Sequence, residues 1–149
     1  MSSAAHQEPN VAEVAFPQPE PIELGRPFWE SLRDGALTFQ RCGACGKGWL
    51  PARAHCPACL SPQWTRERAS GRARLISWVV YRMAYHPAFA SRLPYTVAVV
   101  ELEEGPRMIS NIVRTDPQTL RIDQPLSLVI EQETGVSVPR FVPATGQGA

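Results

Sequence analysis

At 149 residues and a formal net charge of +1, the chain is sized for one modest domain plus a small metal module. No apolar run approaches the roughly 18 residues of a membrane span, and fifteen prolines and ten glycines disfavour long helices. The near-neutral total hides an uneven spread: net −4 over residues 1–40, +8 over 41–92 and −3 over 93–149.

Residues 1–21 are rich in Ser, Ala, Gln, Glu and Pro, with Val11, Val14 and Phe16 as their bulky apolar groups. They read as a flexible arm. The arm lacks the basic and apolar regions of a secretory leader, so the expected location is cytoplasmic. Residues 22–36 predict one short helix, with Pro27 in its first turn and Gly35 at its C-terminal end. Phe28 and Leu32 share a face; Trp29 and Arg33 occupy the next stripe. Two adjacent aromatics on so short a helix either pack on a neighbouring module or line a ligand channel or subunit interface.

Residues 37–68 hold all four cysteines, as Cys42-Gly43-Ala44-Cys45 and Cys56-Pro57-Ala58-Cys59. Each pair is a C-x2-C knuckle, and two facing knuckles make a tetrahedral four-sulfur site, the geometry zinc takes at about 2.3 Å per bond. The assignment is one structural zinc on Cys42, Cys45, Cys56 and Cys59. Two disulfides are disfavoured in a cytosolic chain, whereas iron in a rubredoxin-like site is the sharper rival. His55 abuts Cys56 and reads as a bystander. Leu37–Cys42 and Gly48–Pro51 predict strands of a hairpin ribbon, with Trp49 and Trp64 shielding the metal. A ribbon of about 30 residues buries little apolar surface, so metal binding is expected to drive its folding.

From residue 69 to 143 the pattern turns all-β. Gly71–Tyr85 predicts one long strand with Leu75, Ser77, Val79 and Tyr81 on one face and Ile76, Trp78, Val80 and Arg82 on the other. A loop over His86–Pro94 follows. Tyr95–Leu102 and Arg107–Val113 predict a hairpin around Gly105, and Leu120 and Ile122 anchor the turn-rich 116–125. Leu126–Glu133 and a short Val138–Val142 complete five strands; residues 144–149 fray. The set is mainly β and suits a five-stranded Greek-key barrel of the OB type, or a five-stranded sandwich.

These residues resemble a known family. Phe28-Trp29-Glu30-Ser31-Leu32, Arg41-Cys42-Gly43-Ala44-Cys45-Gly46, His55-Cys56-Pro57-Ala58-Cys59, Gly71, and Pro94-Tyr95 leading into Val100-Glu101-Leu102-Glu103-Glu104-Gly105 are similar to the zinc-ribbon/OB-fold proteins long labelled domain of unknown function thirty-five. The resemblance covers residues 22–143. It implies an N-terminal helix, a rubredoxin-like zinc ribbon and an OB-fold. It also implies acyl-CoA metabolism: members are small subunits beside thiolases, acyltransferases or retro-aldolases of the thiolase superfamily, and some bind CoA esters. It supplies no catalytic residue.

No Ser/His/Asp, Cys/His or paired-carboxylate spacing stands out, and four thiolates close a tetrahedral shell. His86, among Tyr81, Tyr85 and Phe89, is a packing residue before it is a general base. The first expectation is therefore a non-catalytic zinc subunit of a hetero-oligomer with a thiolase-like enzyme. On this expectation Phe28 and Trp29 meet the partner or acyl chain, Arg33 contacts the ligand or partner, and the arginines of 41–92, among them Arg41, Arg53 and Arg72, supply counter-charge for CoA phosphates. The arginines equally serve as counter-charge to the metal site. A single-stranded nucleic-acid binder using Trp78, Tyr81 and Tyr85 is the second reading, and a rubredoxin-like iron carrier the third.

Overall fold

Helix α1 (Arg26–Arg33) starts at Gly25 with Pro27 in its first turn, where a missing N–H costs nothing. It ends in a Schellman motif. Gly35, at φ +84°, donates its N–H to Leu32 O at 3.0 Å, and Ala36 N–H reaches Ser31 O at 2.8 Å. In this computed structural model, which describes residues 14–20 and 22–145, the chain then enters β1 (Thr38–Cys42). Strands β2 (Gly48–Trp49) and β3 (Trp64–Arg68) flank β1 in an antiparallel sheet ordered β2-β1-β3. The sequence did not single out β3 as a strand; its Thr65 and Glu67 pair with Arg41 and Phe39, a long-range register that local propensity does not encode.

The second half closes as a barrel in the order β4-β5-β6-β8-β7, so the sandwich alternative falls. Its strands are β4 (Arg72–Tyr81), β5 (Tyr95–Leu102), β6 (Arg107–Ile112), β7 (Pro125–Glu133) and β8 (Val136–Pro143). A parallel contact between Ile112 and Phe141 completes the closure. The long first strand ends at Tyr81 rather than Tyr85, and the expected loop contains a 3-10 turn over Pro87–Arg92. Strict alternation along β4 also fails. The pairing with β5 shifts register between Leu75 and Ser77, so Leu75 and Trp78 both face the core while Ser77 and Val79 are exposed. The extra residue, Ile76, bends the strand. Arg72–Arg74 thereby pair with β7 while Ser77–Tyr81 run along β5.

One core joins the two halves. Leu32 of α1 and Leu37 and Phe39 at β1 are buried with Leu75, Val100, Leu102, Leu126 and Phe141 of the barrel. Phe28 and Trp29 pack against that core, edge to face at 5.2 Å. The junction is close. A Cβ on Gly48 would lie 2.9 Å from Pro106 Cγ and 3.3 Å from Phe39 Cε2, so glycine lets β2 approach the β5–β6 turn. Residues 14–20 form no regular element but are seated on the barrel side, with Phe16 edge-on to Phe89 at 5.3 Å and Arg92 over its ring at 4.4 Å. The rest of the expected arm lies outside the described residues.

A polar network ties the 3-10 turn to the barrel. Arg140 bridges Glu131 and Glu133, which also hold Arg114 and Arg92. Because the core is shared, Leu37→Ala is expected to lower stability by about 2–5 kcal/mol. The loss should fall on a single unfolding transition of ribbon and barrel in a denaturant titration followed by two probes.

Candidate metal centre and flanking cleft

The two knuckles repeat one backbone design. Cys42 N–H bonds Lys47 O at 2.8 Å, and Cys56 N–H bonds Ser61 O at 2.9 Å. Gly46 N–H returns to Cys42 O at 3.1 Å, and Leu60 N–H to Cys56 O at 3.0 Å. Both turning residues carry positive φ, +75° at Gly46 and +63° at Leu60. Glycine takes that region freely, whereas leucine strains by about 1–2 kcal/mol. Gly43 does not take it; its N–H instead ties the first knuckle to Gln63 O at 2.9 Å.

The design aims four sulfurs at one point. The Cys42 and Cys59 Sγ atoms lie 3.5 Å apart, Cys45 and Cys56 3.6 Å, and all four fall within 4.8 Å of one another. These are too long for a disulfide at about 2.05 Å, and the cysteines are free. A tetrahedron with bonds of about 2.3 Å has edges of about 3.8 Å, so the residues fit a four-thiolate metal. Ala44 and Cys45 N–H groups point at Cys42 Sγ at 3.3 and 3.4 Å, and Ala58 N–H at Cys56 Sγ at 3.4 Å. Trp49 and Trp64 pack on this cluster as expected. His55 is exposed and outside it.

The surroundings push the thiols of Cys42, Cys56 and Cys59 in opposite directions. The Cys45 N–H, with that of Ala44, draws the Cys42 thiol down to about 6. Burial pushes Cys56 up, but the Cys59 and Ala58 N–H groups outweigh it and leave it below the ordinary thiol range. At Cys59 the Ser61 N–H pulls down, yet the neighbouring sulfurs, Cys42 first, push it up to about 12. Cys42, Cys45, Cys56 and Cys59 would hold a divalent cation, whose positive charge would offset the thiolate charges.

The other predicted contact residues scatter. Arg41 is held by Glu67 at 2.5 Å and by Gly46 O at 3.0 Å. Arg53 lies on the ribbon loop, its backbone clamped by the buried Gln40 amide at 2.8 and 2.9 Å. Arg72 forms a bidentate pair with Glu103 at 2.6 and 2.9 Å. Trp29 and Arg33 do meet. With Arg26 they form the α1 wall of a cleft of about 340 Å³, closed by Gln18–Glu20, Ile22, Gly135 of the β7–β8 turn and Val136 and Ser137 at the start of β8. Arg26, which pairs with Glu23, and the turn were not read from the sequence. His86 caps the 3-10 turn, its Nδ1 accepting from Ala88 N–H at 3.2 Å, as a packing histidine does.

Residues 29–65 match the profile "ChsH2, rubredoxin-like zinc ribbon domain", and residues 66–131 match "ChsH2, C-terminal OB-fold domain". The chain belongs to the ChsH2 (DUF35) family. A "probable enoyl-CoA hydratase alpha subunit" of Thermomonospora curvata is 36% identical over 133 residues, covering 87% of this chain and 41% of that protein. The chain thus spans less than half the length of that relative. A "DUF35 domain-containing scaffold protein" of Methanothermobacter thermautotrophicus is 36% identical over 97 residues, or 64% of this chain and 72% of that one. Among solved structures, a chain of the "Ltp2-ChsH2(DUF35) aldolase" superposes with a TM-score of 0.76 at 32% identity, covering 86% of this chain and all of that one. A DUF35 protein of Sulfolobus solfataricus, at 14% identity and TM-score 0.60, shares the fold. No helix among the described residues is long and apolar enough to cross a membrane.

Two outcomes follow from the knuckles. Cys59 keeps its proton at neutral pH until a metal displaces it, so apparent metal affinity in chelator competition is expected to rise at least tenfold between about pH 6 and about pH 8. Leu60→Gly removes the strained φ and is expected to leave metal content unchanged while raising stability by up to about 1 kcal/mol in thermal melts.

Proposed function

We propose that the chain is the small, non-catalytic subunit of a cytoplasmic hetero-oligomer with a thiolase-like enzyme, be it a thiolase, an acyltransferase or a retro-aldolase. One zinc per chain holds its ribbon. The subunit stabilises the enzyme and helps it bind acyl-CoA. The carrying observation is the superposition on a chain of an aldolase named for two components, over the whole of that chain at 32% identity. The ribbon chemistry agrees, since four thiolates fill a tetrahedral shell and leave the metal no position for substrate.

The cleft beside α1 is the place where this chain's own residues suit a CoA ester. Trp29 offers an apolar wall and Arg33 a guanidinium group for phosphate, while Arg26 is already held by Glu23. Two observations count against the nucleic-acid reading. Trp78 packs toward the core rather than outward, and Arg72 and Arg74 are engaged by Glu103, Glu101 and Asp123.

Co-expression with thiolase-superfamily candidates tests the proposal. A stable complex in size-exclusion chromatography with light scattering is expected, colourless and carrying one zinc per small subunit. A chain that stays alone with every candidate, or that turns over acyl-CoA by itself, sinks the proposal; a red iron protein replaces it with the electron-carrier reading. In the complex, Arg33→Ala is expected to raise KM for the acyl-CoA about tenfold, or about 1.4 kcal/mol, with kcat little changed.

A further inference from the structure

The outer face of β4, β5 and β6 carries an apolar strip that neither the metal nor the cleft uses. Register places its outward residues in cross-strand rows. Ser77, Val99 and Ile109 form one row, and Val79, Val97 and Asn111 the next. Ile109 is 74% exposed and Val79 55%. The rows are bounded on one side by Tyr81 stacked on Tyr95 at 5.3 Å. On the other side lie Arg74 and Arg107, both paired to Glu101, with Asp123 also on Arg74. The β-bulge at Ile76 creates this face, because it turns Val79 outward into line with Val97.

Three strands about 4.8 Å apart and about 20 Å of strand length give the strip roughly 300 Å². A standard protein interface covers about 800 Å² per partner, with an apolar centre inside a polar rim. The strip has the size and character of such a centre, and the paired arginines and carboxylates supply part of a rim. Two copies meeting strip to strip would bury well under the standard area. A larger protein that also reaches the rim does not face that limit. The charged row is balanced, two arginines against Glu101 and Asp123, so it offers no net charge to a polyanion. Residues 14–20 are already seated on Phe89 and Arg92.

We propose that this strip, centred on Val79, Val99 and Ile109, is the docking centre for the thiolase-like subunit and meets an apolar patch on that enzyme's surface. It rests on the hetero-oligomer reading. The side chains point out of the barrel, so charged substitutions there leave the core intact.

The test measures the affinity of the full chain for the thiolase-like protein that co-purifies with it. The double variant Val79→Glu/Ile109→Glu is expected to weaken binding at least 100-fold, with wild-type melting temperature and metal content. Ile122→Glu, an equally apolar exposed site outside the strip, is expected to stay within twofold. Should the double variant melt early, Ile109→Gln takes its place, with a loss of at least fivefold expected. Wild-type affinity in the folded strip variants overturns the docking face and leaves the hetero-oligomer standing. Variants that dissociate a homodimer while the hetero-complex persists overturn it too. A wild-type chain that binds no thiolase-superfamily protein overturns both.

Discussion

The structure depends on one strand with two allegiances. Within β1 and the residue before it, Leu37 and Phe39 are buried in the barrel core, while Cys42 at the far end gives its sulfur to the metal cluster. The residues between them fasten the ribbon. Gln40, 1% exposed, clamps the Arg53 backbone through both atoms of its amide, and Arg41 pairs with Glu67 on β3. A ribbon of this size buries too little to fold on its apolar surface alone. With a metal held by the four cysteines it would draw on two sources at once, metal–thiolate bonds at one end of β1 and hydrophobic burial at the other. The free energy of metal binding is therefore felt by helix and barrel together, because all three share side chains rather than a linker.

This sharing also explains how the cleft is held. Its Trp29 wall is fixed from behind by Phe28 and Leu32, both in or against the common core, and its far wall is the β7–β8 turn with the start of β8. The cleft brings together helix, N-terminal segment and barrel hairpin, so its shape reports the relative placement of elements far apart in the chain. A site assembled in this way is rigid only while the core under it is rigid.

Legibility in the sequence followed the range of the determining interaction. The cysteine spacing, the helix with its Gly35 terminus and the β5–β6 hairpin around Gly105 are set within a few residues, and each was readable. The bulge at Ile76 was not: a run such as Leu75–Tyr81 does not state where the register with β5 slips, and the slip puts Leu75 and Val79, expected on one face, on opposite sides of the sheet. Leu60 escaped notice because leucine gives no sign of a left-handed turn; the parallel with Gly46 is visible once both backbones are compared. Of the cleft, Trp29 and Arg33 were within reach of helical periodicity. Arg26, one turn earlier on α1, and Gly135, Val136 and Ser137 were not, since nothing local links residue 26 to residue 135.

The uneven charge is the instructive case. Eight excess positive charges over residues 41–92 look like a phosphate-binding block until the pairing is known. Arg72 and Arg74 then find Glu103, Glu101 and Asp123, all from the net-acidic block that follows, and Arg41 finds Glu67. At the β4–β5 edge the segregation along the chain becomes local neutrality. Exposed pairs of this kind contribute only about 0–1 kcal/mol each to stability, so their consequence lies elsewhere. By cancelling charge at the edge of the β4–β5–β6 face, they leave valine and isoleucine as its dominant chemistry. A face with free guanidinium groups attracts phosphate, whereas one with its guanidinium groups already engaged by carboxylates is suited to another protein's apolar surface. Arg41, Arg72 and Arg74 thus act in the fold by pairing with carboxylates rather than by offering a phosphate site.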